Sequence, residues 1–193
     1  MKTKLFLFAI LLNTTFSFAQ VNASFTDNRD GKVYKTVKLG NQIWMTENLA
    51  FKANSGCWAY DNNDSNAVKY GYLYDFETAK TVCPAGWHLP TDAEWTTLLS
   101  YLGDNDGALK MKSKKGWNED GNGTNTSGFS ALPGGHLFNS NTFGDIGKNS
   151  YWWTSTEEES SIGWTRSIDY NNNNITRDIT SKTDGLSVRC IKD

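Results

Sequence analysis

The chain has 193 residues, of which 19 are basic and 21 acidic, and its formal charge of −2 with no basic cluster excludes the cationic face that nucleic-acid phosphates require. Its length is one domain's worth of chain, enough to build a proper core. Trp, Tyr, Phe, Gly and Asn are frequent while only 3 prolines occur, a composition suited to short strands joined by polar turns.

Residues 1–19 read as an export signal. Lys2 and Lys4 form a positive start, Leu5 to Leu12 an apolar run too short to span a bilayer, and Ser17-Phe18-Ala19 a small-x-small cleavage site before Gln20. No cysteine follows that point to carry a lipid and no second long apolar run occurs, so the reading is an exported protein, extracellular or associated with the cell envelope, with no membrane span. Residues 20–29 are polar and patternless, a short lead-in, and the domain occupies 30–193. In an oxidising compartment Cys57, Cys83 and Cys190 imply one disulfide and one leftover thiol, with any of the three pairings open.

Val33–Leu39 and Gln42–Leu49 flank Gly40-Asn41, the pattern of a hairpin with a primed two-residue turn. The alternation along its first strand predicts packing on one side only. Residues 61–66 (DNNDSN) read as a solvated loop, since the EF-hand calcium pattern wants Gly at the sixth position and Glu at the twelfth, where Asn66 and Tyr72 stand. Phe76, Ala79 and Lys80 have helical spacing and predict a short helix that delivers Cys83. The clearest helix signal follows: Thr91 stands three residues before Glu94, a capping box, and Trp95, Leu98, Leu99 and Leu102 form one apolar stripe that ends at Gly103. Ala108–Lys115 is ambiguous between helix and strand.

Residues 116–128 (GWNEDGNGTNTSG) read as a long polar loop carrying Trp117. From Phe129 onward the pattern is strands: up to the turn Pro133-Gly134-Gly135, then Leu137–Ser140, Tyr151–Ser155, a hairpin of 163–170 with 175–180, and Leu186–Ile191, with a loop at 141–150. The fold class is therefore α+β, antiparallel strands with two helices in the N-terminal half.

The succession GNQIWMTENL, CPAGWHLPTDAEWTTL, SGFSALPGG, YWWTSTE and GLSVRCIKD resembles the Fibrobacter succinogenes major paralogous domain, a family of exported bacterial proteins, over about 160 residues. That family is similar in turn to the C-type-lectin-like fold in the variant of the formylglycine-generating, sulfatase-modifying enzymes, with HLPTDAEW as the shared signature. The resemblance implies a fold and no established activity. It also bears on the cysteines. Family members often carry a second cysteine about ten residues after the one matching Cys57, where this chain has Ala67, and this implies that Cys83 pairs with Cys190 and Cys57 stays free.

Catalysis is disfavoured. The sulfatase-modifying chemistry that the resemblance suggests depends on a late pair of cysteines binding copper, and only Cys190 follows Cys83 here. His88 and His136 are too few for a His-rich zinc site, G-x-S-x-G and H-E-x-x-H do not occur, Glu94 is occupied by its cap, and Glu157-Glu158-Glu159 reads as a solvated run. No catalytic residue, metal or cofactor is expected. The Trp-, Tyr- and Asn-rich loops suit a non-catalytic recognition module for a surface glycan or protein, because sugars stack on rings and pair with amides. The alternatives are a structural envelope protein and, third, an enzyme of the sulfatase-modifying kind. The expected site lies on the loops 116–128 and 141–150, with Trp117, His136 and Tyr151 as its ligand-binding residues. Of Trp152 and Trp153, at least one should be core, since neighbours on a strand face opposite ways.

Overall fold

The computed structural model describes residues 23–103, 106–139 and 141–193; the export signal read at 1–19 lies outside the described residues. In the first half the elements are β1 (Ala23–Thr26), β2 (Val33–Leu39), β3 (Gln42–Met45), β4 (Cys57–Trp58), α1 (Asp64–Tyr70), β5 (Leu73–Tyr74), α2 (Phe76–Ala79), β6 (Trp87–His88) and α3 (Asp92–Leu102). The second half holds α4 (Gly107–Met111), β7 (Gly134–Phe138), β8 (Thr142–Ile146), β9 (Asn149–Glu157), β10 (Ile162–Asp169), β11 (Ile175–Ser181), β12 (Leu186–Ser187) and β13 (Ile191–Lys192). The strands form two sheets, β1-β2-β3-β13-β6 and β11-β10-β9-β12-β5-β4, with the β7–β8 hairpin attached to β9. Pairing is mostly antiparallel; β9 runs parallel to β12 and β7. The α+β class therefore stands. No helix among the described residues is long and apolar enough to cross a membrane.

Several local expectations need correction. The stretch read as a patternless lead-in contains β1, whose residues pair with Val33–Thr36 in β2. The stretch read as the loop 61–66 runs into α1, because the Asn63 side chain accepts from Ser65 N and caps a helix there. The ambiguous segment after residue 107 is α4, so four α-helices stand among the described residues where two were expected. The loop at 141–150 holds β8, paired with β7. Strand β2 is buried on both faces, as its alternation changes phase at Thr36 and Val37: Tyr34 and Thr36 point one way, Val37 and Leu39 the other.

That phase change is possible because the interior is divided in two. Tyr34, Met45, Tyr74, Phe76, Trp153 and Val188 belong to one apolar cluster, whereas Val37, Trp44, Trp95, Phe129, Trp152 and Ile191 belong to another. Adjacent residues Trp152 and Trp153 are both fully buried. Opposite faces of β9 receive them, and both faces are covered: Phe76 of α2 meets Trp153 edge-on at 5.2 Å, and Trp95 of α3 lies 5.6 Å from Trp152. Helix α3 has the expected capping box, with Glu94 N donating to Thr91 Oγ1 at 3.1 Å and Thr91 N to Glu94 Oε2 at 2.8 Å. It is fixed over the sheet by Asp92, whose carboxylate takes Arg166 at 2.6 Å and Arg177 at 2.8 Å.

At the boundary between the clusters lies a buried polar centre. Arg189, 1% exposed, donates from Nε and Nη2 to Asn48 Oδ1 at 3.0 and 2.7 Å, and from Nη1 to Met45 O at 3.2 Å and Phe129 O at 2.7 Å. Asn48 Oδ1 also accepts from Trp152 Nε1 at 2.9 Å, and Asn48 Nδ2 donates to Tyr70 O at 2.8 Å and Ser187 Oγ at 3.1 Å.

Two further links hold the C-terminal strand. Cys83 and Cys190 are joined in a disulfide across 107 positions of sequence, and Cys57 is free. His88 Nδ1 meets Asp193 Oδ1 at 2.6 Å while its Nε2 meets Glu94 Oε1 at 2.9 Å. Burial alone would lower the His88 pKa from its ordinary 6.5, but the bonds to Asp193 and Glu94 outweigh it and the net shift is upward.

Removing the disulfide in a Cys83→Ser, Cys190→Ser variant is expected to cost about 2–5 kcal/mol, because a loop of this length is released in the unfolded chain; urea denaturation measures it. For His88, a raised folded-state pKa means stability fully present below about pH 6.5 and lost as pH rises through the folded value. Thermal melts of the wild type should therefore decline over that window, and His88→Gln should flatten the decline; an unchanged slope would remove His88 from the explanation.

Candidate functional site

Loop 116–128 is tied to the body of the domain. Gly123 N donates to Ser113 O at 3.0 Å, Thr124 N to Leu109 O at 2.9 Å and Ser127 N to Lys110 O at 3.2 Å. At Gly123 the chain passes so close to α4 that a Cβ would stand 2.5 Å from Leu109 O, which explains a glycine there. Lys112, 1% exposed, reaches across to donate to Tyr170 O at 2.9 Å and Asn172 O at 2.8 Å.

This anchoring buries Trp117, which was expected among the ligand-binding residues. The ring is 5% exposed, belongs to the cluster of Trp44, Trp95 and Trp152, and donates from Nε1 to Ala131 O at 3.1 Å. The polar sequence around it concealed this, since the other members of its apolar cluster, Met111, Phe129 and Trp152 among them, lie outside its own loop.

His136 and Tyr151, by contrast, are brought together. Gly135 of β7 pairs with Ser150 of β9, so the next residues on each strand are neighbours, and their rings meet edge-to-face with centroids 4.9 Å apart. The 141–150 stretch contributes through Asp145, whose Oδ2 accepts from the Tyr151 hydroxyl at 2.9 Å and lies 3.5 Å from His136 Nδ1. Burial first, and then the bond to Asp145, raise the Tyr151 pKa, so the phenol keeps its proton and acts as a donor. His136 Nδ1 is buried with no hydrogen-bond partner among the described residues.

The two rings open onto the face of β9-β10-β11. Ser167 stands opposite Tyr151, and Thr165 lies between Trp153 and Asp178, so hydroxyls and a carboxylate share the face of Tyr151. Helix α2 covers one end of this face through Phe76 and the β7–β8 hairpin borders the other. Between them is a groove of about 180 Å³ lined by His136, Phe138, Tyr151, Thr165, Ser167 and Asp178 among others. Phe138 is 48% and Ile179 42% exposed, two large apolar side chains flanking one groove. Phe138 was visible in the sequence only as an ordinary strand residue, and Asp178 only as one of many acids in a hairpin. Their convergence depends on the pairing of β10 with β11 and on the attachment of β7 to β9.

The Fibrobacter succinogenes major domain matches residues 37–192, from the last residues of β2 to β13. The chain belongs to this family. No curated protein and no solved structure matches it. In this Fibrobacter succinogenes major domain the five motif stretches are not gathered at the groove. Four of them supply the polar centre around Asn48 and Arg189, and the fifth holds the capped helix and Cys83.

Because Trp117 is a core side chain, Trp117→Ala is expected to destabilise the domain by about 3–5 kcal/mol, the range for emptying a large aromatic site. Trp117→Phe should lose up to about 1 kcal/mol beyond its packing change, the net worth of the Nε1–H bond to Ala131 O, an oxygen that keeps Ser113 N as a donor. Urea midpoints of the two variants against wild type provide the measurement.

Proposed function

We propose that this domain is an exported, non-catalytic recognition module and that its ligand is a glycan, one sugar ring of which lies in the groove between the β7–β8 hairpin and the β9-β10-β11 face. The observation that carries this reading is the convergence of an exposed ring, Phe138, with the Tyr151 phenol, the His136 imidazole and the hydroxyl-carboxylate row of Ser167, Thr165 and Asp178. A pyranose offers apolar C–H faces that stack on rings, and hydroxyls that donate to a carboxylate and to the Tyr151 oxygen, whose own O–H donates to Asp145. A groove of about 180 Å³ is smaller than sites that bury drug-sized ligands, roughly 300–1,000 Å³, and so suits a single ring of a longer chain.

Several features support a binding role over chemistry. Cys190 is committed to a disulfide, so no late thiol pair exists for a soft metal. The Cys57 thiol is pushed up to about 11 by burial and stays protonated near neutrality, which removes its nucleophilic form. Tyr151 likewise holds its proton. The C-type-lectin-like reading belongs with this proposal. It is supported by the return of β13 to lie between β3 and β6, and by the long stretch from α3 to β7 that holds no strand among the described residues.

A glycan array probed with the domain and with Phe138→Ala provides the test. The wild type should retain a defined set of glycans, and the variant should bind them about fivefold more weakly, the loss of one stacked ring worth about 1 kcal/mol, with an unchanged melting temperature. Retention of no glycan by the wild type would overturn the ligand class, and equal binding by Phe138→Ala would overturn the groove.

A further inference from the structure

A second cavity, of about 270 Å³, lies away from the groove, between the end of α1, the exit of β3 and the chain at 130–132. Its charge is unusual for this protein. The chain as a whole is acidic, yet Lys32, Lys69 and Arg189 line this cavity against the single acid Glu47. Glu47 is engaged by Lys32 at 3.3 Å. Lys69 has no carboxylate partner among the described residues, and its Nζ stands 4.5 Å from the centroid of the Tyr70 ring.

Arg189 is the deeper cation. Every acceptor it meets is neutral: the Asn48 amide and the carbonyls of Met45 and Phe129. Such acceptors satisfy the direction of the N–H groups but leave the charge itself without a counter-charge, the costly condition for a buried ion. Consistent with this, burial lowers the Arg189 pKa to about 9, with only the charge of Glu47 opposing the shift. The bonds noted above use four of its five N–H donors, leaving one on Nη2. The Tyr70 carbonyl at the end of α1 accepts from Asn48 Nδ2.

The wall beside these cations is apolar. Val68 is 80% exposed, the most exposed of the large hydrophobic side chains, and Leu132 borders the same cavity. A cationic floor and rim next to an apolar wall is complementary to a carboxylate on a compact apolar body. We infer that this cavity binds a carboxylate-bearing small molecule, its anion between Lys69 and Arg189 and its body against Val68 and Leu132. The site is independent of the glycan groove, and neither reading depends on the other.

Amide chemical shifts of the isotope-labelled protein, titrated with butanoate, butanamide, glucuronate and inorganic phosphate, test the inference. Butanoate should give saturable shifts at Val68–Gly71, Ser113 and Ser130 while His136 and Tyr151 stay unmoved, and butanamide, the neutral counterpart, should give none. Glucuronate asks whether the same anion is accepted on a hydroxylated body: tighter binding than butanoate would overturn the role of the apolar wall, and weaker binding supports it. Lys69→Gln, whose side chain makes none of the bonds of the Asn48 centre, should weaken butanoate about three- to fivefold, the strength of a partly exposed ion pair, with the melting temperature retained. Butanamide acting like butanoate, phosphate binding as well as butanoate, an unaffected Lys69→Gln, or no saturable shift at these residues would each overturn the inference.

Discussion

The bond set between Arg189 and Asn48 is the constraint on which the rest of this domain depends. A buried guanidinium is tolerable only where most of its donors are met, and here the acceptors come from segments far apart in sequence: Met45 at the end of β3, Asn48 just after it, and Phe129 before β7. Asn48 then passes the constraint on to Trp152, Tyr70 and Ser187. Each partner must arrive together with the others, since a half-completed network leaves a charge stranded in an apolar interior. The two aromatic clusters on either side are therefore held in a fixed relation by a polar centre between them, while their area provides most of the driving force.

This centre also explains why the sequence reads as five short, distinctive stretches separated by unremarkable ones. The stretches containing Asn48, Phe129, Trp152 and Arg189 are the pieces of one network. The stretch from Cys83 to Leu98 joins by other means, through the disulfide to Cys190 and through His88 between Glu94 and Asp193. The distinctive sequence is thus concentrated on the scaffold. His136 and Phe138 of the groove and Val68 and Lys69 of the cavity rim fall outside those stretches, while Tyr151 and Arg189, which line the same two sites, fall inside them.

What could be read from the sequence follows the range of the interactions involved. The capping box at Thr91 and Glu94 and the Gly40-Asn41 hairpin are local, and both are present as expected. The pairing of Cys83 with Cys190 was open on spacing and was reached only through resemblance. Helix α1 was missed because a run of Asp and Asn signals a loop as readily as it signals the cap that Asn63 provides. Trp117 was misplaced for the opposite reason: its neighbours in sequence are polar, and the side chains that bury it are remote. His136 and Tyr151 were named as residues of a single site, and their meeting rests on a parallel contact of β7 with β9 that no local pattern encodes.

The position of β13 has a consequence for the order in which the molecule can be built. This strand lies between β3 and β6, and Arg189 and Cys190 immediately precede it, so the first sheet is two separate fragments until residue 192 has been synthesised. Helix α3 and the β10–β11 hairpin can form as the chain emerges, but the frame cannot close around them in stages. The first sheet therefore closes in one late step, when β13 docks between β3 and β6 and brings Arg189 and Cys190 to their partners.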